Sequence, residues 1–324
     1  MTWKGFSFAL AACMLWGLIF IIPPSLKGFA PLEIALGRHG VYGLISCSIF
    51  LLTGRKSIRK HPLHVYGKAL LFSLICNIVY YSCVVMGTLY ASPSITALIL
   101  GTSPVLISFY GNWMKRECSF KSLIIPSLLI LAGLVLINVP VFSDKEIALD
   151  KPFYLLGVIA AFTALIAWSW YVVVNSLFLK SNPTVSSQDW STLIGVATFF
   201  WVLIVGGCYE GWLGEAGWSK FLEPSQSLAI FVAGCAVLGI FCSWIGAFLW
   251  NKASSILPVS LAGELTVFET IFGLLYFYLL EMRMPPMLEL MGIALILSAI
   301  LYGINAFALQ TPPTELSGKL GSVK

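Results

Sequence analysis

The stretch PVSLAGELTVFETIFGLLYFYLL, residues 258–280, is the part of the chain that decides its fold. It is long and apolar enough for a helix that crosses a bilayer, which needs about 20 residues. Yet it contains two acids, Glu264 and Glu269. A carboxylate in such a helix is costly unless it faces a polar cavity or a partner. The stretch therefore predicts a membrane-spanning helix beside an enclosed polar region.

The composition of the whole chain agrees with a membrane protein. Of 324 residues, 59% are hydrophobic and only 10% are charged, and the mean hydropathy is +0.92. A soluble domain of this length carries far more charge on its surface. The net charge of +5 lies mainly in short loops between apolar runs, where basic residues set orientation in the membrane. We therefore expect no nucleic-acid partner.

Ten apolar stretches of membrane-spanning length follow when the chain is divided at charges, prolines and Gly/Ser clusters. We predict an all-α polytopic membrane protein with one helix in each stretch. The predicted spans are 5–24, 32–52, 67–90, 93–114, 121–140, 153–178, 188–208, 227–250, 258–280 and 287–309.

The positions of the basic residues predict the orientation of these helices. Sorting the 19 Lys and Arg by side places thirteen on the side of the N-terminus and five on the other, with Arg38 inside a span. Because cytoplasmic loops are enriched in Lys and Arg, both termini are expected in the cytoplasm. Residues 141–152 are then an outer linker, and 310–324 form a disordered cytoplasmic tail.

The second half of the chain resembles the first, which predicts an internal repeat. Each half, 1–140 and 153–309, holds five predicted helices, and an odd number makes the two halves enter the membrane in opposite directions. Inverted repeats of this kind are the basis of alternating access in carriers. The pairs at offsets of 152 to 164 residues are Gly5 with Gly157, Trp16 with Trp168, Pro31 with Pro183, Gly43 with Gly195, Ala91-Ser92 with Ala253-Ser254, and Glu117 with Glu281.

Several motifs along the chain follow the pattern of one known family: Ala12-Cys13-Met14-Leu15-Trp16-Gly17 with Phe20, Pro31 with Arg38, Ala91-Ser92-Pro93 with Pro104 and Glu117, and Pro258 with Glu281. They resemble the drug/metabolite transporter superfamily and, within it, the ten-helix EamA-type carriers. The resemblance covers about residues 5–309. It implies a central cavity lined by the first four helices of each repeat, with helices 5 and 10 at the periphery. It also implies export or exchange of small metabolites such as amino acids.

One position departs from the family pattern. Many members carry a proline in helix 9 where this chain has Phe268. The detailed geometry of helix 9 therefore does not transfer from the resemblance.

The two acids of helix 9 are the first candidates for substrate binding and proton coupling. Glu264 either anchors a substrate cation, couples transport to protons, or pairs with a neighbouring donor to fix helix packing. Carboxylates away from water can bind and release protons near neutral pH. Glu269 is a second proton-coupling candidate, and its five-residue offset points it about 140° away around the helix. We expect only one of them to face the cavity directly.

Arg38 lies inside the predicted second helix, where a guanidinium needs a carboxylate, carbonyl groups or water. It has two interpretations of equal weight. It either forms a structural ion pair, with Glu33 or a helix 9 acid, or contacts a substrate carboxylate. If it binds the carboxylate while Glu264 binds an amine, the site selects zwitterions.

Aromatic and amide side chains complete the predicted substrate site. Aromatic rings can stack on a flat or cationic ligand while a polar edge forms a hydrogen bond. Aromatics are also common at membrane interfaces and in helix packing, which is the alternative for each of them. Trp16 and Trp168 are the better candidates because the repeat pairs them. The set is Asn77, Tyr80 and Tyr81 in helix 3, Trp244 in helix 8, and Trp16 with Trp168.

The sequence favours a carrier over the other function classes. It has no HExxH, GxSxG or GxxxxGK[ST] motif, so we expect no enzyme activity and no catalytic residue, metal or cofactor. A membrane-embedded enzyme and a scaffold stay as alternatives. We predict a secondary transporter of the inner membrane for amino acids or related metabolites. Uptake of a nucleoside-like metabolite such as S-adenosylmethionine is the alternative substrate class. Its expected partners are its small-molecule substrate and membrane lipids, and its expected unit is a monomer.

Overall fold

Ten helices long and apolar enough to cross a membrane make up most of the described chain. The computed structural model describes residues 3–54, 61–143, 153–213, 221 and 225–310, and these contain helices and no strand. All ten predicted spans are confirmed, with ends shifted by a few residues. The spans are α1 Trp3–Ser25, α2 Pro31–Leu52, α3 Leu63–Ala91, α4 Ile95–Lys115, α5 Phe120–Val139, α6 Tyr154–Ser181, α7 Ser187–Tyr209, α8 Gln226–Ile256, α9 Val259–Glu281 and α10 Met287–Ile304.

Prolines and one serine cap mark several helix starts. Pro31 opens α2, and Pro62 and Pro258 immediately precede α3 and α9. Proline suits this position because the first amides of a helix have no partner within it. The Ser225 side chain accepts a hydrogen bond from the Leu228 N–H at the start of α8. These local signals help to explain why the apolar pattern predicts the helix ends to within a few residues.

Helices α4 and α9 are both interrupted in the middle, at Thr102 and Thr266. Each threonine hydroxyl donates a hydrogen bond to the carbonyl three residues earlier, at 2.7 Å in α4 and 2.6 Å in α9. The interruption of α9 occurs although Phe268 stands where many family members carry proline. The resulting halves are Pro93–Gly101 and Ser103–Lys115 in α4, and Val259–Leu265 and Phe268–Glu281 in α9.

Helices α3 and α8 contain wide π-helical turns. These occur at Leu74–Val79 and Gly87–Ala91 in α3, and at Leu238–Ile245 in α8. Such turns redirect side chains and are frequent at functional sites. Here they adjoin Tyr80 and contain Ser243.

The most extensive helix contacts pair α1 with α8, α2 with α7, α3 with α6 and α5 with α10. Contacts of α1 with α9, α4 with α9, α2 with α8, α4 with α6 and α3 with α7 follow. Glycines bring the backbones together, as small residues do between membrane helices. A Cβ on Gly133 of α5 would lie 2.6 Å from the Gly292 carbonyl oxygen of α10, and the reverse distance is the same. In the α2–α7 pair, a Cβ on Gly43 would overlap Phe199, and one on Gly195 would overlap Ser46.

We expect Gly195→Ala to lower the melting temperature of the purified protein by several degrees. The added methyl group displaces Ser46, and overpacking of this kind costs about 1–3 kcal/mol. Gly206→Ala is the control in the same helix, because a Cβ there has no atom within 4 Å. An equal melting temperature for the two variants would show that the α2–α7 contact is looser than described.

The predicted linker and tail lie almost wholly outside the described residues. The helix of α5 continues to Ser143, and that of α10 continues to Gln310. All eight cysteines are free thiols.

Candidate functional site

Arg38 of α2 and Glu269 of α9 share one polar region between the helices. The Arg38 Nε donates a hydrogen bond of 2.9 Å to the Ser243 hydroxyl on the π-helical turn of α8. The Ser243 hydroxyl in turn donates to the Leu238 carbonyl at 3.1 Å. The Glu269 carboxylate interacts electrostatically with the Arg38 guanidinium. Both side chains are partly exposed rather than fully buried. A basic and an acidic group thus interact within the same polar region.

An aromatic cluster adjoins these two charges. The Trp168 ring of α6 lies 5.2 Å from the Tyr80 ring and 6.0 Å from the Trp16 ring, centroid to centroid. Trp16 also contacts Trp250 at 5.3 Å, and its indole N–H donates to the Cys242 carbonyl at 2.8 Å. Tyr80 interacts electrostatically with both Glu269 and Arg38. Four helices besides α2 and α9 thus contribute rings or carbonyls to the same region.

Glu264 lies elsewhere. Its side chain is 1% exposed, and neither carboxylate oxygen has a hydrogen-bond partner among the described residues. It packs directly against Gly303 of α10, where an added Cβ would overlap its Oε2. The structure therefore separates the two acids of α9: Glu269 interacts electrostatically with Arg38, and Glu264 faces the α10 helix.

Of the other predicted residues, Tyr81 adjoins Arg38, while Asn77 and Trp244 have different surroundings. The Asn77 amide donates to the Thr198 hydroxyl of α7 at 2.6 Å. Tyr81 interacts electrostatically with Arg38 and meets His39 edge-on at 6.0 Å. Trp244 stacks on Phe248 with centroids 5.9 Å apart, and its indole N–H has no hydrogen-bond partner in the part of the chain described.

The structure thus brings six of the predicted residues together and leaves three outside. Ser243 was missed, because a serine in an apolar helix carries no signal that separates it from the other small residues of that helix. The six residues in the shared region are Arg38, Glu269, Tyr80, Tyr81, Trp16 and Trp168.

This arrangement suits a small organic solute that carries both charges. The planar guanidinium can donate two hydrogen bonds to a carboxylate, and the Glu269 carboxylate can bind an ammonium group. The faces of Trp168 and Tyr80 can hold a flat or cationic part of the ligand. No cluster of three metal-ligating side chains occurs among the described residues.

Known proteins share the sequence and the fold. The model of the EamA-like transporter family matches residues 3–139. The inner membrane protein YtfF of Escherichia coli (strain K12) is 30% identical over 322 residues, which cover 96% of this chain and 98% of that protein. The uncharacterized transporter YyaM of Bacillus subtilis (strain 168) is 24% identical over 69% of this chain and 68% of its own length. A crystal structure of a protein aligns with 96% of this chain over its own full length. Its TM-score is 0.75 at 18% sequence identity, which shows a shared fold.

Proposed function

Because the chain belongs to the EamA-like transporter family of the drug/metabolite transporter superfamily, we propose that it is a secondary carrier that exports or exchanges small organic metabolites by alternating access. It is a multi-pass protein of the inner membrane. The observation that carries the proposal is the pair Arg38 and Glu269, held on different helices beside an aromatic cluster. Such intramembrane charges are rare, and they mark substrate or ion pathways.

The pattern of helix pairs supports an inverted repeat as the basis of alternating access. Adding five to each helix number of one half gives its counterpart in the other. This exchange leaves the pairs α2–α7, α4–α9 and α5–α10 unchanged. It converts the pair α1–α8 into α6–α3, and α6–α3 into α1–α8. The matched interruptions at Thr102 and Thr266 follow the same rule. Two similar halves can adopt two similar arrangements, one open to each side.

Amino acids or related zwitterions are the substrate class that the two charges favour. In this proposal Arg38 binds the carboxylate and Glu269 binds the amine, in place of the Glu264 anchor expected from the sequence. The ring cluster of Trp16, Trp168 and Tyr80 favours a second candidate, a nucleoside-like sulfonium metabolite such as S-adenosylmethionine, because aromatic rings stack on a flat base and attract a cation over their faces.

Flux from proteoliposomes tests the proposed function. Vesicles are loaded with a defined mixture of amino acids, nucleosides and S-adenosylmethionine, and each component leaving them is quantified by mass spectrometry. We expect selective, saturable efflux of one class relative to protein-free vesicles. Efflux of no component from vesicles that contain folded protein would contradict both substrate classes.

We expect Glu264→Gln to uncouple transport from a pH gradient while leaving downhill flux largely intact. Glu264 lies away from the proposed substrate region, and its buried carboxylate has no hydrogen-bond partner within the described parts of the chain. The measurement is flux by wild type and variant with and without an imposed pH gradient. Equal responses of the two proteins to the gradient would remove Glu264 as the proton-coupling group.

A further inference from the structure

A cluster of partly buried polar contacts joins α4, α6 and α9 at the end of the protein that carries Glu117, which is the predicted cytoplasmic end. The Glu117 carboxylate accepts hydrogen bonds from the N–H groups of Val259 and Ser260 at 2.7 and 2.8 Å, and from the Ser260 hydroxyl at 2.9 Å. Lys180 of α6 lies 3.8 Å from Glu117 and donates to the Leu257 carbonyl at 2.6 Å. We call Glu117, Lys180, Val259 and Ser260 the inner clamp.

The inner clamp supplies what the start of α9 lacks. Pro258 precedes this helix and offers no side-chain cap, so the first amides of α9 depend on an acceptor from elsewhere. A carboxylate at this position also interacts favourably with the positive end of the helix dipole. Bonds to a charged acceptor are stronger than neutral ones. Glu117 therefore holds the end of α4 on the start of α9.

The turn that carries Glu117 is fixed by Asn112. The Asn112 amide donates to the Cys118 carbonyl at 3.0 Å, and its oxygen accepts from the Cys118 N–H at 2.9 Å. Arg116 in this turn adopts a left-handed backbone, with φ 48°. Two further close contacts between α4 and α9 lie beneath the inner clamp. A Cβ on Gly111 would lie 3.2 Å from the Val259 Cβ, and the Ser108 hydroxyl donates to the Ser260 carbonyl at 2.9 Å.

The opposite end of the α4–α9 pair is built differently. Glu281, the counterpart of Glu117 in the repeat, is 53% exposed and lies 3.9 Å from Arg283. The start of α4 is capped by its own Ser92, which accepts from the Ile95 N–H at 3.1 Å. In the described chain, the halves Pro93–Gly101 and Phe268–Glu281 show no packing comparable to that between Ser103–Lys115 and Val259–Leu265. The two helices therefore meet at the Glu117 end and diverge toward the other.

We propose that the inner clamp is a gate: Glu117 and Lys180 hold the Glu117 end closed, and Glu117 must release the amides of Val259 and Ser260 before substrate can pass on that side. This gate rests on the proposed function, because only a carrier that opens alternately to each side needs it. The structure corresponds to the state that is closed at the Glu117 end. Glu117 acts by positioning α9 and touches no substrate.

A reversible cross-link tests whether this end must open. The double variant Gly111→Cys with Val259→Cys, in a chain with its native cysteines replaced, places two Cβ atoms close to the separation of a disulfide, about 3.5–4.5 Å. We expect oxidation to lower flux at least tenfold and reductant to restore it, with each single variant unaffected by either reagent. Unchanged flux in fully cross-linked protein would overturn the gate.

A labelling experiment tests Glu117 itself and needs no substrate. Ser108→Cys, in the same background, places a thiol beneath the clamp at a position that is 0% exposed. Losing one charged hydrogen-bond network shifts a two-state equilibrium by about tenfold or more. We therefore expect Glu117→Gln to raise the rate of labelling by an impermeant maleimide, applied from the Glu117 side, about tenfold.

Glu281→Gln is the matched control, because it removes the counterpart acid at the other end and should leave this rate unchanged. Equal rates in Glu117→Gln and the parent, or equal increases in both acid variants, would overturn the role of Glu117. Because labelling requires no substrate, these outcomes stay separate from a failure of the proposed function. Melting temperatures of all variants identify any that fail to fold, and the cross-link then decides alone.

Discussion

Transport falls about 100-fold in Arg38→Ala, measured as the initial rate of substrate flux per folded carrier in proteoliposomes. Arg38 is the basic group of the polar region described above. It donates a hydrogen bond to Ser243 and interacts electrostatically with Glu269. Its removal leaves an anionic substrate group without a partner and the Glu269 carboxylate without its counter-charge. Removing one partner of a hydrogen-bonded charge pair, here the proposed pair of Arg38 and the substrate carboxylate, costs about 2–5 kcal/mol, which corresponds to roughly 30-fold to several thousandfold.

Two milder variants show whether the charge or its placement matters. Arg38→Lys keeps the charge but loses the planar fork that binds a carboxylate through two hydrogen bonds, so we expect an intermediate loss. Ser243→Ala keeps the guanidinium and removes only the hydroxyl that positions it. We expect about a tenfold loss or less for that variant. Flux in Arg38→Ala within twofold of wild type would remove Arg38 from the substrate site.

Glu269→Gln produces the second large effect, a loss of about 100-fold for substrates that carry a cationic group. Glutamine keeps the size and the acceptor oxygen of the side chain but cannot balance an ammonium group or Arg38. The matched variant is Glu264→Gln, five positions earlier on the same helix. Because Glu264 packs against Gly303 and away from the ring cluster, exchange of substrate across the membrane persists in that variant.

Thermal unfolding and substrate selectivity, measured together, separate a binding role of Glu269 from a purely structural one. If Arg38 and Glu269 only paired with each other, the double variant Arg38→Ala/Glu269→Gln would recover stability without any effect on substrate selectivity. We expect instead that Glu269→Gln shifts the selectivity from zwitterions toward anions. Equal losses for cationic and anionic substrates would contradict a direct contact between Glu269 and the substrate.

The helices could be predicted from the sequence because the signals that form them are local. About 20 apolar residues, bounded by loop charges and prolines such as Pro31 and Pro258, specify a span whatever its neighbours are. The interruptions were harder to foresee. Thr266 breaks α9 through a side-chain hydrogen bond to Gly263, which no local rule requires. The π-helical turn that carries Ser243 likewise has no signal in the sequence.

Six residues of the candidate site could be predicted from the sequence, but their arrangement could not. Arg38, Trp16 and Trp168 stand out because charges are rare in a membrane span and tryptophans recur at the repeat offset. Helix geometry showed that Glu264 and Glu269 point in different directions. Which neighbour each acid meets depends on how α9 packs against α1, α4 and α10. That packing is set by glycines such as Gly303 and Gly263, whose partners lie far away in the sequence.

Counterflow in proteoliposomes tests the central claim, alternating access, most directly. Vesicles are loaded with an excess of the unlabelled metabolite mixture and diluted into a trace of the isotopically labelled mixture, and the labelled compounds inside are followed by mass spectrometry. A carrier predicts transient accumulation of one labelled class above its outside concentration, driven by exchange and absent in Arg38→Ala. Labelled compounds that merely equilibrate, with no overshoot, would indicate a channel and contradict the account.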